Sequence, residues 1–487
     1  MSLPNDVWLQ IVQFISPSAV QSLYSLNSAF FNVAMDYRYQ QISFSYLSDR
    51  MLWQMKRLQD PEVAKRVRIL HIYPQFVKDA AAIDTIHAPL SLISKFGEIA
   101  GQFKFGKQKS RLPLKFKTCA DLMHVMTDIL SHLPNLTDYH VLWCGLPTIG
   151  SYPALVLSSP LRLNLRCLRL EISLEKLEYM LTQSLPEIEE LDLFIRVDHL
   201  LDSHHYYAIL LLLAHMISSL HSSLRKLTIQ LWEPFDISPL FFSISHLPLL
   251  DKLSLSIPMS SPNLGNPAGL ISFLNCHSST LRSLSIRASE LGGRSLIPND
   301  IQLGGWMDET FSKVSLSGIT SLEISLNLVP FDSALLCVRR FSNTLTSLIF
   351  TGLHLAYEDL ELLTAAFPPC RKHTLQYARI GPLALSPQLV DLLADRFAGI
   401  EKLELLVKSI VPSEGDVPFF YGRIGTERDQ DEGQVGRFIE EMKHRRYPKW
   451  KLRHLDLLGS SYPKLNASEA QYRSVFMQCV PALQTFV

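Results

Sequence analysis

The sequence predicts an α/β fold, a solenoid in which short parallel strands form a ladder with outer helices, preceded by a small all-helical head. Three observations support this prediction. A six-residue apolar pattern recurs along the chain, helical patterns separate its copies, and the first 45 of the 487 residues have a composition of their own. Internal repeats with a period of roughly 20–50 residues are typical of solenoids.

The repeated pattern is L-x-x-L-x-[L/I], which alternates apolar and other residues as a strand with one buried face does. Nine clear copies begin at residues 165, 188, 224, 250, 281, 319, 345, 400 and 452. Weaker copies are VRILHI (67–72), LTDYHV (136–141) and LQTFV (483–487). The intervals from 345 to 400 and from 400 to 452 are the widest, and each indicates a diverged repeat or an insertion.

Segments between the copies carry helical patterns, for example residues 202–220 and 332–342. One strand and one helix cannot bury their own apolar face, whereas stacked neighbours can. We therefore assign residues 67–487 to the solenoid, with insertions near 97–118 and 413–446. The alternative is an ordinary doubly wound α/β domain, which rarely repeats one short signature so often.

A strand and a helix in each repeat resemble the leucine-rich repeat, whose longer pattern is L-x-x-L-x-L-x-x-N/C-x-L. The segments LTDYHVLWCGL (136–146) and ITSLEISLNLV (319–329) match that pattern, with Cys144 and Asn327 at the N/C position. The other copies match it less completely. The resemblance implies an irregular leucine-rich-repeat solenoid with the strands on its concave face.

Residues 1–45 contain only three charged residues, Asp6, Asp36 and Arg38, and many apolar ones. Helical spacing predicts three short helices, the first capped by Asn5 or Asp6 and the second starting at Ser18 after Pro17. So much apolar surface cannot be hidden within about 45 residues. On composition alone, the segment either presents a surface to a partner or covers the first repeat.

The stretch from Leu3 to Tyr39 closely resembles the F-box. The resemblance rests on an ordered set of residues: Leu3-Pro4, Asp6-Val7-Trp8, Ile11, Phe14, Pro17, Leu23, Leu26-Asn27 and Phe31. It implies that the head docks on a Skp adaptor and, through it, reaches cullin and RING subunits. The adaptor-binding residues that it implies are Leu3, Pro4, Val7, Trp8, Ile11, Phe14, Ile15, Pro17, Val20 and Leu23.

Residues 46–66 read as a helical linker between the head and the repeats, and few flexible residues intervene. We therefore expect the head and the solenoid to be rigidly coupled. An F-box followed by leucine-rich repeats resembles the substrate receptors of SCF-type ubiquitin ligases, in which the repeats hold a protein substrate and the chemistry takes place on other subunits.

In the repeated pattern the leucines point into the core, so the residues between them point to the concave side. These residues are the candidates for substrate contact. The set is Arg169, Glu171, Asp192, Phe194, Lys226, Thr228, Lys252, Arg287, Glu323, Lys402, Glu404 and Asp456. Their charges are mixed in sign, and an alternative interpretation is that they only keep the sheet soluble.

Composition excludes several other functions. Lys+Arg and Asp+Glu both number 46, so a general electrostatic attraction to nucleic acid or to an anionic membrane is not expected. No apolar run approaches the roughly 20 residues that span a bilayer, and no secretory signal is visible. Seven cysteines without a CxxC pair favour a reducing compartment, and we expect a cytoplasmic or nuclear protein.

No motif of a known catalytic or cofactor site is found, so we expect neither an enzyme nor a cofactor. The histidine cluster at 198–207 fits no zinc spacing, and no metal site is predicted. The basic insert 103–117 is an exposed loop or a site for an acidic partner. The sequence thus predicts a non-catalytic substrate-recognition subunit of a ubiquitin ligase. The alternative is a leucine-rich-repeat scaffold that acts without a ligase.

Overall fold

The computed structural model describes residues 4–86, 118–143, 164–174, 176–177, 185, 187–197, 203–233, 236–257, 265–288, 301–325, 329–367, 375–413, 428–459 and 465–487. The chain falls into two compact units, Met1–Leu227 and Thr228–Val487. Several predicted features lie outside the described residues. They are Leu3, Cys144, Asn327, the insert near 97–118 except residue 118, residues 198–202 of the histidine cluster, and residues 414–427 of the second insert.

Fourteen strands lie in the described residues. They are β1 (Gln41–Phe44), β2 (Ile69–Ile72), β3 (Asp138–Leu142), β4 (Cys167–Ser173), β5 (Glu190–Arg196), β6 (Lys226–Leu231), β7 (Lys252–Ile257), β8 (Ser283–Ala288), β9 (Ser321–Ser325), β10 (Ser347–Leu355), β11 (Tyr377–Leu385), β12 (Lys402–Ile410), β13 (His454–Gly459) and β14 (Thr485–Phe486). In the first unit β1 to β5 pair in chain order, and in the second β7 to β14 do so, always in parallel. This ladder confirms the predicted α/β solenoid.

The helices of the described residues are α1 (Asn5–Val12), α2 (Pro17–Ser22), α3 (Ser28–Tyr39), α4 (Asp49–Leu58), α5 (Pro61–Ala64), α6 (Gln75–Ile86), α7 (Cys119–Ser131), α8 (Ser203–Ser219), α9 (Ser238–Ser243), α10 (Ala268–Cys276), α11 (Ile301–Lys313), α12 (Phe331–Phe341), α13 (Tyr357–Ala365), α14 (Pro387–Arg396), α15 (Arg428–Lys443) and α16 (Leu465–Cys479). Most follow one strand and precede the next. Within these residues, none of the helices combines the length and the apolar character needed to cross a membrane.

Each of the nine clear copies of the repeated pattern contains a strand that begins at its third residue, as β4 begins at Cys167 in the copy that starts at 165. Two strands, β1 and β11, were not predicted. Strand β11 fills the wide interval after residue 345, which is therefore a diverged repeat. Between β12 and β13 the described residues hold α15 and no further strand, so this interval contains an insertion rather than a diverged repeat.

Strand β11 has an irregularity at Gly381, just after its copy of the repeated pattern (375–380), in which Ala378 takes the place of a leucine. Gly381 has a φ of 129°, and a Cβ atom there would lie 2.6 Å from the carbonyl oxygen of Leu406. The register between β11 and β12 shifts just beyond this point. Glycine is required here because a side chain would need a strained backbone and would collide with the neighbouring strand.

The helices of the head start differently from the prediction. In α1 the cap position is occupied by Pro4, which offers no side-chain hydrogen bond, and Asp6 lies within the first turn. Helix α2 begins at Pro17 rather than Ser18, with Ser16 as its cap. Proline suits the first position of a helix because its missing N–H has no partner there anyway. Asn27 caps α3 by accepting the N–H of Phe30 at 3.0 Å.

The core lies on the leucine side of the ladder. In β4, Leu168 and Leu170 are fully buried, whereas Arg169 and Glu171 on the opposite face are half-buried. Burial of one such leucine contributes about 1.5–3 kcal/mol. The alternation repeats from strand to strand, so the repeated pattern itself determines which face of the ladder carries the polar residues.

One polar side chain is built into the core of the second unit. His277 follows α10 and has no exposed surface. Its Nε2 accepts the N–H of Leu247 at 2.9 Å, and its Nδ1 donates to the carbonyl of Phe273 at 2.7 Å. Burial lowers the pKa of His277, the neighbouring His246 lowers it further, and the neutral ring satisfies both bonds.

Candidate functional site: an apolar head surface and a polar strand face

The head has a small core of its own. Val12, Val20, Phe30 and Ala34 form it, and five half-buried apolar residues pack against it: Trp8, Ile11, Ile15, Leu23 and Val33. The rings of Trp8 and Phe30 meet edge to face, with their centroids 5.7 Å apart. Three short helices thus hold their shape by burying one side of each.

The residues predicted to contact an adaptor divide between this core and the surface. Pro4, Val7 and Phe14 are exposed, and Phe14 is 90% exposed. Trp8, Ile11, Ile15 and Leu23 are half-buried against the core, while Val20 is fully buried in it. The side chain of Pro17 and the whole of Leu3 lie outside the described residues.

The head also exposes apolar residues that the sequence-based list of adaptor contacts omitted. They are Leu9, Tyr24, Leu26 and Phe31, of which Leu26 is 61% exposed. We name Val7, Leu9, Phe14, Tyr24, Leu26 and Phe31 together the apolar head surface. The scarcity of charges in residues 1–45 is the signal that could have pointed to them. Exposed apolar surface on so small a unit is typical of a binding surface.

The head continues directly into the strand ladder. A single residue, Gln40, separates α3 from β1, and its carbonyl accepts the N–H groups of Arg68 and Ile69. Arg66 donates to the carbonyl of Asn32 at 3.0 Å and forms an ion pair with Asp36 at 2.5 Å. These bonds join α3 to the segment before β2 and fix the orientation of the head on the first strands.

The second part of the site is the polar strand face, which we define as the side of the strands opposite the leucines. Its most buried charge in the first unit is Asp192, whose side chain is 2% exposed. Arg169 on the neighbouring strand donates two hydrogen bonds to its Oδ2, at 3.2 and 2.9 Å. Lys226 lies 3.4 Å from its Oδ1 and 3.0 Å from Glu190.

The neighbouring carboxylates also determine the pKa of Lys226. Burial opposes the charge of Lys226, but its bond to Glu190 and the charge of Asp192 outweigh burial and raise its pKa. The Arg169 guanidinium lies 5.6 Å from the centroid of the Phe194 ring. Because Arg169 and Lys226 neutralise Asp192, this part of the face presents a short polar network beside an aromatic ring.

Further along the same face, Arg196 pairs with Glu171 at 3.3 Å. Two other predicted contacts belong to the second unit, where Thr228 on β6 is half-buried and Lys252 on β7 is exposed. All the predicted substrate contacts of the first unit therefore lie on the polar strand face, but their cations and carboxylates are engaged with each other. A partner must compete with these bonds or bind over them.

Two histidines lie on the polar strand face between β4 and β1. His71 on β2 and His140 on β3 are opposite each other in the register, with ring centroids 4.4 Å apart. Burial, the charge of His71 and the charge of Arg169 lower the pKa of His140 to about 4. Burial also lowers the pKa of His71. On β4, burial and the carboxylates of Asp138, Asp192 and Glu190 raise the pKa of Cys167 to about 12.

The second unit repeats this chemistry with other residues. Glu323 accepts hydrogen bonds from Ser285 and Arg287, each at 2.8 Å. On β12, Lys402 lies 2.7 Å from Glu404, and Arg379 of β11 lies 3.8 Å from it. Both carboxylates are held by cations from their own or an adjacent strand.

Glu404 is the centre of the second network. Burial opposes its ionisation, but hydrogen bonds from Lys402 and Tyr377 outweigh burial and lower its pKa. Burial and the bond to Glu404 raise the pKa of Tyr377 to about 12. Burial and the charge of Glu404 raise the pKa of Asp456 on β13. The predicted contacts Lys402, Glu404 and Asp456 are therefore brought together in one cluster.

Comparisons with known proteins add little to these observations. No protein-family model matches the sequence, and no curated protein is similar to it. Among solved structures, the chain is similar to one titled as the Rad7 and Elc1 complex in yeast, at a TM-score of 0.40 and 14% identity, over 84% of this chain and 90% of that one. A Bacteroides fragilis protein gives a TM-score of 0.27 and 14% identity, over 47% and 61%. Such scores carry no argument about function, and the strand ladder itself shows the fold.

Proposed function

We propose that this protein is a non-catalytic substrate receptor of a cullin–RING ubiquitin ligase. In this proposal the apolar head surface docks on a Skp-type adaptor, and the polar strand face binds a protein substrate. Cullin and RING subunits join through the adaptor, and ubiquitin transfer takes place on them. The receptor needs no metal or cofactor for this role.

The exposure of the apolar head surface carries the proposal. The head keeps its own core, yet leaves Phe14, Leu26 and Tyr24 largely in solvent. If the head served only to cover the first repeat, these side chains would be packed against that repeat. Instead the attachment to the ladder uses α3 and polar bonds from Arg66, which leaves the apolar residues available to a partner.

The firm attachment of the head supports the receptor role. A ligase receptor has to hold its substrate at a fixed place relative to the adaptor. A continuous chain from α3 through Gln40 into β1 provides this geometry without a flexible linker. Helices α4 and α5 then lead to β2.

The test is binding of purified full-length protein to a purified Skp adaptor. Phe14→Asp and Leu26→Asp place a charge on the apolar head surface at positions that make little contact with the core, so both variants should fold. We expect each to weaken adaptor binding more than about tenfold, because one buried apolar anchor contributes at least 1–2 kcal/mol. Trp8→Asp or Ile11→Asp would be poor choices because both side chains pack on the head core.

Phe242→Asp is the matched control. Phe242 is an aromatic residue of α9, 55% exposed and remote in sequence from the head. Adaptor binding by the wild type and by this control, with loss in the two head variants, would support the proposal. If folded wild-type protein does not bind the adaptor, the receptor proposal fails, and a repeat scaffold that acts without a ligase becomes the better interpretation.

A further inference from the structure

The polar strand face of the first unit brings together three side chains of the types that bind transition metals. Asp138 and His140 are two residues apart on β3 and therefore project from the same face. Cys167 on β4 is directly opposite Asp138 in the register. One ligand atom of each, a carboxylate oxygen, a ring nitrogen and the sulfur, lies within 4.8 Å of the other two.

We propose that Asp138, His140 and Cys167 form a Zn²⁺ site on the polar strand face. A donor set of one nitrogen, one sulfur and one oxygen suits zinc, whereas magnesium and calcium prefer oxygen ligands alone. Three protein ligands leave one of the four tetrahedral positions open to water or to a side chain of a bound protein. The site does not depend on the ligase proposal.

The arrangement can close on an ion with small movements. Both strands are held by the ladder, so only side-chain rotations are needed to bring the three atoms to about 2.0–2.3 Å from one ion. Asp138 accepts a hydrogen bond from the hydroxyl of Thr137 at 2.6 Å through Oδ2, and its Oδ1 can turn to the metal. The thiol of Cys167 loses its proton to the solvent when the metal–sulfur bond forms.

The surroundings of the three ligands are also suitable. Arg169 occupies the fourth corner of the group, opposite His140, and is the obvious obstacle to a cation. Its guanidinium is turned to Asp192 on β5, to which it donates two hydrogen bonds. On the other side, the His71 ring packs edge to face on His140 and limits the rotation of that ring.

No zinc motif is visible in the sequence here because the ligands come from two different strands. Cys167 follows His140 by 27 residues. Zinc motifs in sequence rely on ligands a few residues apart. In a strand ladder, ligands are instead neighbours across strands. A search for short zinc motifs therefore misses Asp138 and Cys167, which are neighbours through the register of β3 and β4.

The test uses full-length protein stripped of metal with a chelator and then titrated with Co²⁺ alone and with Zn²⁺ alone. We expect one equivalent of Co²⁺ to give a thiolate-to-cobalt charge-transfer band, which Zn²⁺ displaces. Cys167→Ser should abolish that band, and His140→Gln should weaken metal binding more than about tenfold. Cys276→Ser, at an exposed cysteine on α10, is the matched control and should bind like the wild type.

A second measurement needs no variant. Zn²⁺ should slow the alkylation of Cys167 in wild-type protein, read by mass spectrometry of the peptides, and leave the alkylation of Cys276 unchanged. Absence of the charge-transfer band, or equal alkylation of Cys167 with and without Zn²⁺, would overturn the site. A band that persists unchanged in Cys167→Ser would overturn it as well, because the thiolate would then belong to another cysteine.

Discussion

The network around Asp192 allows a quantitative test of how the polar strand face is held. Asp192 is almost completely buried and accepts two hydrogen bonds from Arg169, with Lys226 near its other oxygen. Removing one partner of a buried pair costs about 3–5 kcal/mol. Arg169 is 43% exposed and Lys226 31% exposed, so both regain water when the carboxylate is lost. We therefore expect Asp192→Ala to cost less, about 2–3 kcal/mol.

A double-mutant cycle separates this bond from other effects of the substitution. We expect Arg169→Ala and Asp192→Ala to be coupled by about 1–2 kcal/mol. The assay is hydrogen–deuterium exchange of the peptide that contains residues 187–197, because strands of a solenoid open locally and global unfolding averages over many repeats. Exchange gives the free energy of opening of β5 in each of the four proteins.

Lys313 and Glu309 provide the control cycle. They form an exposed i,i+4 pair on α11 with 2.8 Å between nitrogen and oxygen. Such pairs contribute about 0.3–0.5 kcal/mol. If Arg169 and Asp192 prove no more strongly coupled than this control pair, burial of the carboxylate does not strengthen the interaction, and the reasoning fails.

Further predictions concern stability. Val20→Ala should destabilise the head by about 2 kcal/mol, because it removes buried methyl groups, and limited proteolysis should show earlier cleavage within residues 4–44. The lowered pKa of His277 means that the unfolded chain binds a proton below about pH 6.5 while the folded chain does not. Stability in urea should therefore fall as the pH drops from 7 to 5, and fall less in His277→Gln. Gly381→Ala should cost about 1–3 kcal/mol in urea unfolding, whereas Gly305→Ala, in an open helical position, should stabilise slightly; equal effects would contradict the argument from backbone strain.

Much of the ladder could be predicted because the repeated pattern specifies burial directly. Every clear copy of L-x-x-L-x-[L/I] forms a strand that begins at its third residue. Strands β1 and β11 escaped prediction because another buried residue occupies a leucine position in each. Ile42 of β1 is opposite Leu70, and Ala378 of β11 is opposite Leu348.

The head was less predictable. Three helices follow from helical spacing, but which apolar residues face inward depends on how α1, α2 and α3 pack on one another. The F-box resemblance placed Val20 and Phe14 alike among the adaptor contacts, whereas packing places Val20 in the core and leaves Phe14 in solvent. No repeat supplies a second copy with which to compare the two positions.

The ladder differs from the head because its strands pair in register. An alignment of the repeats therefore predicts which residues are neighbours across strands. His71, His140, Arg169 and Asp192 all occupy the fifth place of their copies, and the structure puts them side by side in that order. Asp138 and Cys167 likewise share the third place. Aligning the weak copies at 67 and 136 with the strong copies would therefore have brought the three proposed zinc ligands together before any coordinates were known. Charged residues of a repeat protein should be compared between copies of the repeat. Residues at the same place of successive copies are distant in sequence but adjacent on the strand face.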